Sequence, residues 1–187
     1  MVTDRTVGEI MTRLVGTTRP QARLFEAARL MRELHVSGLP VVATDGSVVG
    51  VLSEKDLVRV LDLSAGISSP RGLIDLLLAS APKRGPSLLD VCRHRLENGF
   101  VKEAMTSPAI TLGPTATVNE AAQQMHGHHI HRLPILDESG KLVGIVSRAD
   151  IVGALTPQPR TPHRGALHPR PKRAAPARAE HDLYADA

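Results

Sequence analysis

Aromatic side chains are nearly absent from this sequence: of 187 residues, two are Phe, one is Tyr and none is Trp. A nucleic-acid-binding surface built from stacked aromatic rings is therefore excluded. The core has to be assembled from aliphatic side chains and methionine, since hydrophobic residues still make up 42% of the chain. A chain of this length can bury a core large enough to carry a ligand cleft.

Cysteine and long apolar runs are also scarce. Cys92 is the only cysteine, which excludes an intrachain disulfide and a cysteine-based metal site. The longest apolar run, residues 73–79, contains Asp75 and is far shorter than the ~20 residues that cross a bilayer. The first residues contain no apolar signal region. These absences predict a cytoplasmic protein.

The net charge of +4 is unevenly distributed along the chain. Residues 156–187 are rich in Pro, Ala and Arg and hold most of the excess positive charge, whereas the rest of the chain is nearly neutral. We predict that 156–187 is a disordered basic tail. Nucleic-acid binding by this tail stays an alternative, although its prolines and acidic residues favour a solvated tail.

An internal repeat organises the sequence. Residues 7–61 align without a gap with residues 101–155 at a constant offset of 94, with 21 identities in 55 positions. Such a duplication indicates that the chain contains two copies of one structural unit, whatever the secondary-structure propensities of its residues. We therefore divide the chain into a first domain at 7–61, a connector with helical segments at 62–100, a second domain at 101–155 and the tail at 156–187.

Each repeat predicts an α+β unit of three short strands and two helices. A short apolar entry strand, at 15–18 or 109–112, precedes an amphipathic helix, and a hairpin and a closing helix follow. Gly46 and Gly140 mark the hairpin turns. One such unit is too small to bury a stable core, so we expect the two to pack sheet to sheet as a pseudo-two-fold pair.

Each closing helix begins with the same pair of residues, Ser53 and Asp56 or Ser147 and Asp150. The N–H groups and the dipole at a helix N-terminus favour an anionic or hydrogen-bonding ligand. A carboxylate one turn further on can accept the hydroxyls of a ribose. The same spacing is also an ordinary capping box, in which the two side chains only bond the helix end. The two interpretations are compatible, and these four residues by themselves do not separate them.

Three features together resemble the cystathionine-β-synthase (CBS) domain family. They are a Met-Thr entry at Met11 and Met105, a Leu-Pro strand at Leu39 and Leu133, and the ending Gly-x-x-Ser-x-x-Asp, each present twice and in register. The resemblance implies tandem CBS domains with a non-enzymatic, regulatory function. It implies two clefts between the repeats, which hold AMP, ADP, ATP or S-adenosylmethionine as a regulatory ligand and require no obligatory cofactor. It also implies a homodimer and an effector protein as partners.

The two repeats differ where the family has residues that reach a nucleotide phosphate. The second repeat has His131 and Arg132 at these positions, whereas the first has Ser37 and Gly38. A guanidinium binds phosphate through two parallel hydrogen bonds, and a glycine cannot replace it. We therefore expect two chemically unequal clefts, with the phosphate of a ligand held by His131 and Arg132 and with Arg148 nearby.

The resemblance also supplies the remaining candidate contacts. Because the charged side chains belong to the second repeat, we expect Asp150 to matter more for ligand affinity than Asp56. Isoleucine and valine at matching positions would flank the adenine, and threonines of the entry strands would add polar contacts. The full set of candidate adenosyl-ligand contacts is Ser53, Asp56, Ser147, Asp150, Ile130, His131, Arg132, Thr111, Arg148, Thr17 and Val36.

Other functions have less support. The histidines at 126, 128, 129 and 131 invite a zinc or nickel site, but no neighbouring acid or cysteine completes a tetrahedral set, and we expect no metal. No nucleophile elbow and no Walker loop are present, which disfavours an enzyme. A scaffold whose clefts stay empty, and which dimerises or docks a partner protein, remains an open alternative to ligand binding.

Overall fold

The computed structural model describes residues 5–61, 70–79 and 88–156. The predicted tail from residue 157 onward, and two parts of the connector, lie outside these residues. No helix in the described part is long and apolar enough to cross a membrane. The elements, in chain order, are α1 (Val7–Ile10), α2 (Leu24–Leu34), β1 (Gly38–Val42), β2 (Val48–Ser53), α3 (Glu54–Val60), α4 (Pro70–Ala79), α5 (Leu88–Asn98), α6 (Val101–Ala104), α7 (Val118–Gly127), β3 (Arg132–Leu136), β4 (Leu142–Ser147) and α8 (Arg148–Leu155).

The amphipathic helices form where apolar residues recur at helical spacing, so that each buries one face. At the start of α7, Thr117 Oγ1 accepts a hydrogen bond from Glu120 N at 3.1 Å, and Glu120 Oε2 accepts one from Thr117 N at 2.7 Å. At the start of α2, Glu26 Oε2 accepts a hydrogen bond from Arg23 N at 3.2 Å. The buried residues of these helices are Leu24, Ala27, Ala28 and Met31 in α2 and Val118, Ala121 and Met125 in α7.

Each repeat contains an antiparallel hairpin, β1 with β2 and β3 with β4. Both predicted turns are present, with φ at +88° for Gly46 and +77° for Gly140. This left-handed region is open to glycine and costly for other residues, which explains why a glycine stands at both turns.

The predicted third strand is reduced to a single parallel bridge in each repeat. Thr18 pairs with Val41, and Leu112 pairs with Ile135. A proline follows two residues after each bridge and the chain turns towards the next helix, which ends the pairing. The α+β fold class is confirmed, with two-stranded sheets extended by these bridges.

The entry segments of the two repeats are exchanged. Val7 N, in α1, donates to Ala116 O at 2.8 Å, and Val7 is buried in the core of the second repeat. Conversely, Val101 N, in α6, donates to Ala22 O at 3.0 Å, and Val101 is buried in the core of the first repeat. The sequence repeats are therefore not independent packing units, because each is completed by residues that begin the other.

The hydrogen bonds of this exchange follow the internal two-fold relation. Thr12 N donates to Ile145 O at 3.0 Å, and the equivalent Thr106 N donates to Val51 O at 2.9 Å. Because the two pairs of residues are related by the repeat offset, the two halves face each other across a pseudo-two-fold axis, as the sequence predicted.

The described helices of the connector pack against the first repeat. These helices, α4 and α5, pack on α2 and α3 and place their apolar side chains in the core of the first repeat. The connector residues buried there are Ile74, Leu77, Cys92 and Leu96. The predicted helical segments of the connector are therefore structural parts of the first repeat.

A candidate ligand site between the repeats

A cavity of about 610 Å³ opens between the two repeats. Its volume lies within the range of roughly 300–1,000 Å³ that is usual for small-molecule sites. The first repeat contributes the start of α3, and the second contributes its entry segment and the loop before β3. The lining residues are Ser37, Val51, Ser53, Glu54, Lys55, Asp56, Arg59, Thr106, Pro108, Ala109, Ile110, His128, His129, Ile130, His131 and Arg132.

A buried carboxylate lies at one wall of this cavity, at the start of α3. Asp56 is 5% exposed, and its Oδ2 accepts hydrogen bonds from Ser53 N at 2.9 Å and Ser53 Oγ at 2.5 Å. In return, Asp56 N donates to Ser53 Oγ at 3.4 Å. Asp56 Oδ1 forms an ion pair with Arg59 Nη2 at 3.0 Å, and the same Nη2 donates to Ala104 O at 2.9 Å. The helix cap and the ion pair hold the carboxylate in one orientation.

The second copy of the motif forms the same cap at the start of α8. Ser147 N and Ser147 Oγ both donate to Asp150 Oδ2 at 2.7 Å, and Asp150 N donates to Ser147 Oγ at 3.4 Å. Gly153 takes the position that corresponds to Arg59. The capping function that the sequence allowed is thus present in both copies, and the motif alone does not distinguish a ligand site from a helix cap.

Arg132 brings a positive charge to the cavity at Asp56. Its Nη2 donates to Ser37 Oγ, in the first repeat, at 2.6 Å. Burial lowers the pKa of Arg132, while the carboxylates of Glu54 and Asp56 raise it. A guanidinium stays protonated at neutral pH in any protein environment. A permanent cation and a buried carboxylate therefore line the same cavity.

The cavity also shifts the pKa values of two further lining residues, His131 and Glu54. Partial burial lowers the pKa of His131, and the nearby cations Arg148, Arg132 and Lys55 lower it further. Burial raises the pKa of Glu54, against the opposing influence of Arg71 and Arg132. Since several cations surround a neutral imidazole, the His131 side of the cavity is suited to an anionic group.

Five of the residues predicted from the sequence line this cavity together: Ser53, Asp56, Ile130, His131 and Arg132. The other six lie outside the lining described above, namely Ser147, Asp150, Thr111, Arg148, Thr17 and Val36.

The expectation that the side chain of Arg132 accompanies Asp150 needs correction. The backbone of Arg132 does pair with Ser147 in the β3–β4 hairpin. Its side chain, however, extends away from that hairpin and bonds Ser37 of the first repeat. Arg132 therefore serves the cleft at Asp56, because the side chain crosses the axis that relates the repeats.

The sequence analysis missed several lining residues. Arg59 stands three residues after Asp56, a helical spacing at which opposite charges meet, and this signal was available. Glu54 and Thr106 carry no comparable local signal, since they reach the cavity only through the packing of the repeats. The lining residues that were not predicted are Ser37, Val51, Glu54, Arg59, Thr106, Pro108, Ala109, Ile110, His128 and His129.

The histidine cluster lies beside the cavity. His35 is the C-cap of α2, and its repeat equivalent His129 follows the C-cap of α7; both lie in the left-handed region, with φ of 58° and 54°. Both are exposed, rather than packed. The rings of His126 and His129 are 6.5 Å apart between centroids. Within the described residues, no three His, Cys, Asp or Glu side chains are grouped so that they could hold a metal ion.

Comparison with known proteins identifies the repeats. The model of the CBS domain family matches residues 7–63 and 101–157. An uncharacterized protein of Methanocaldococcus jannaschii, MJ1426, is 38% identical over 137 residues, which cover 71% of this chain and 80% of that protein.

Two further relatives place the pair in different contexts. An inosine-5'-monophosphate dehydrogenase from Korarchaeum cryptofilum is 31% identical over 139 residues, which cover 73% of this chain but only 21% of that enzyme. CBSX2 from Arabidopsis thaliana, whose crystal structure was solved in complex with AMP, is 26% identical in sequence to this chain. The two structures match with a TM-score of 0.59, over 80% of this chain and 94% of that chain. The family match covers both repeats and the fold agrees with a solved pair, so the chain belongs to the CBS domain family and contains two CBS domains in tandem.

Proposed function

We propose that this protein is a non-enzymatic regulatory module that binds an adenine nucleotide or another adenosyl ligand in the cavity at Asp56. The observation that carries the proposal is the cavity itself, which is lined by both the carboxylate of Asp56 and the guanidinium of Arg132. An adenosyl phosphate has a ribose that suits an acceptor and a phosphate that suits a cation. The related protein CBSX2 was crystallised with AMP, which supports this class of ligand.

The ribose is assigned to Asp56. Its Oδ2 is used by the helix cap, whereas Oδ1 makes one ion pair, with the exposed Arg59, and keeps a lone pair for a ribose hydroxyl. The phosphate is assigned to Arg132 and His131, and the adenine to the apolar wall at Ile130 and Ile110. A bound phosphate would take the place of Ser37 Oγ as a partner of Arg132, so ligand binding exchanges a neutral acceptor for a charged one.

A thermal melt of the full chain with AMP, ADP, ATP and S-adenosylmethionine tests the proposal. A ligand at 100 times its dissociation constant adds ~2.7 kcal/mol of stability, which is roughly 5–10 °C in melting temperature for a chain of this size. GMP at the same concentration is the control for nonspecific stabilisation by a nucleotide. No shift with any adenosyl compound would contradict ligand binding and favour the scaffold alternative.

The module is proposed to act as a homodimer on an effector protein in the cytoplasm. Supporting the dimer, Val152 and Leu155 on α8 are exposed apolar residues of the second repeat. A second copy that buried them would remove them from water at about 25 cal/mol per Å². Light scattering of the full chain is expected to give twice the chain mass, and Val152→Asp is expected to give the monomer mass. A monomer mass for the unaltered protein would contradict this assignment.

A further inference from the structure

The two repeats differ at one position that lies against its own equivalent. Gly38 and Arg132 correspond under the repeat offset, and the Arg132 guanidinium lies directly on Gly38. A Cβ atom added to Gly38 would collide with Nη1 of Arg132 and would lie 2.8 Å from its Cζ. Any side chain at position 38 would therefore compete with the guanidinium for the same space.

This contact directs the charge of Arg132 to one side of the axis. Next to Gly38, Arg132 bonds Ser37 Oγ and lies near the carboxylates of Glu54 and Asp56. The cation is thereby committed to the cavity at Asp56. Glycine at position 38 leaves the related cleft, at Asp150, without an equivalent guanidinium.

Lys55 and Arg59, the other Lys and Arg side chains that line the cavity, have uncharged equivalents in the related cleft. Its equivalent surface includes Leu14, Leu34 and Val36, which are among the exposed large hydrophobic residues of the described part. The side chain of Leu34 packs closely against Gly16. Two replacements bring a basic or imidazole group to the related cleft: Arg148 stands at the position of Glu54, and His131 at that of Ser37. Five replacements remove a basic or imidazole group from the related cleft: Lys55 is replaced by Ala149, Arg59 by Gly153, His128 by Leu34, His131 by Ser37 and Arg132 by Gly38.

We propose that, of the two related clefts in the described part of the chain, only the one at Asp56 binds nucleotide phosphate, and that Gly38 decides this by admitting Arg132 across the internal axis. The inference rests on the proposed function. It adds the number of nucleotides bound per chain, and it makes Gly38 a residue that positions Arg132. Gly38 has no polar side chain with which to touch a ligand, and it acts through the guanidinium that it accommodates.

Calorimetric titration of the full chain with AMP tests the stoichiometry. The expected result is one AMP per chain, with affinity lowered about 10- to 100-fold by Asp56→Asn, since a charged hydrogen bond is lost. Asp150→Asn is the matched control, because it changes the same capping interaction at α8 and is expected to leave AMP affinity within about twofold. Two AMP per chain, or equal losses in the two variants, would overturn the inference and leave the proposed function standing. No AMP binding by the unaltered chain would overturn both.

The role of Gly38 is tested by a double-mutant cycle with Arg132→Gly, read with AMP and with uncharged adenosine. Gly38→Ala is expected to weaken AMP about tenfold or more and to leave adenosine unchanged. In the Arg132→Gly background, Gly38→Ala is expected to add no further loss. If the losses add, or if adenosine weakens equally, Gly38 is only a structural residue and the assignment is overturned.

A backbone contact makes a second variant necessary. The added Cβ would also lie 2.6 Å from Leu52 O, which can destabilise the hairpin. Should Gly38→Ala fail to fold, Arg132→Gly decides the question by itself. Loss of the preference for AMP over adenosine supports the inference, and an unchanged preference overturns it.

Discussion

Val58 and Leu61 in the first repeat correspond to Val152 and Leu155 in the second, yet their surroundings are opposite. The first pair is 6% and 2% exposed, and the second pair is 63% and 53% exposed. The cause lies outside both repeats: the connector helices α4 and α5 pack on α2 and α3. Identical residues of the two repeats therefore differ in burial, because different elements are packed against them.

The same comparison holds for the two clefts. Both repeats form the same serine and aspartate cap, so this part of the frame is symmetric. The difference arises at a few positions, foremost at Gly38 and Arg132, where the guanidinium of Arg132 lies against the glycine. A duplicated fold supplies two equivalent clefts, and a small number of substitutions is enough to assign them different chemistry.

The largest expected effect comes from truncating equivalent leucines. Leu61→Ala removes a buried side chain and leaves a cavity between α3 and the connector, so we expect a loss of about 2–5 kcal/mol. Leu155→Ala truncates a side chain that is 53% exposed, and we expect a loss below ~1 kcal/mol. The free energy of unfolding is measured by urea denaturation at a protein concentration where the chain is monomeric. Equal losses would break the comparison.

An intermediate effect is expected from removing the two caps. Ser53→Ala and Ser147→Ala each delete the acceptor for the backbone N–H of an aspartate at the third helical position. The expected loss is about 1 kcal/mol in each case, within the usual range for a helix N-cap. Similar urea midpoints for the two variants would confirm that the frame is symmetric here. A loss confined to one variant would show that the two capping boxes are not equivalent in solution.

The sequence was sufficient for features that depend on neighbouring residues. The repeat offset, the capping box at Thr117, the glycine turns at Gly46 and Gly140 and the closing helices after Ser53 were all predictable, because each depends on a few adjacent side chains. Five of the candidate contacts, most of which the family resemblance supplied, line a single cavity in the structure.

Features that depend on long-range packing were not predictable in the same way. The exchange of Val7 and Val101 between the cores involves contacts over about half the chain, and no local pattern encodes it. The direction of the Arg132 side chain depends on the space above Gly38, which exists only once the repeats have packed. For this reason the sequence assigned His131 and Arg132 to the cleft at Asp150, whereas in the structure both line the cavity at Asp56.

The smallest expected effect concerns His131, whose equivalent in the first repeat is Ser37. Burial and neighbouring cations lower the pKa of His131 below its ordinary value of 6.5. In the unfolded chain this histidine therefore takes up a proton first as the pH falls through 6.5, which favours unfolding. The folded protein should lose stability between pH 6.5 and the lower pKa of the folded state, and His131→Ser should reduce that loss. Urea midpoints at pH 7.5 and 5.5 measure the difference, and an unchanged difference in the variant would exclude His131 as its source.

The affinity for AMP should depend on pH in the opposite sense to the stability of the ligand-free protein. A phosphate beside His131 stabilises the imidazolium and raises its pKa, so binding takes up a proton. AMP affinity should therefore increase as the pH falls from 8.0 to 6.5, a range that stays above the second pKa of a phosphate monoester, about 6. The His131→Ser variant should bind AMP more weakly and with a flatter pH dependence. If the pH dependence of AMP affinity survives in the variant, another group takes up the proton. If it disappears, the phosphate lies beside His131, in the cavity that Arg132 also lines.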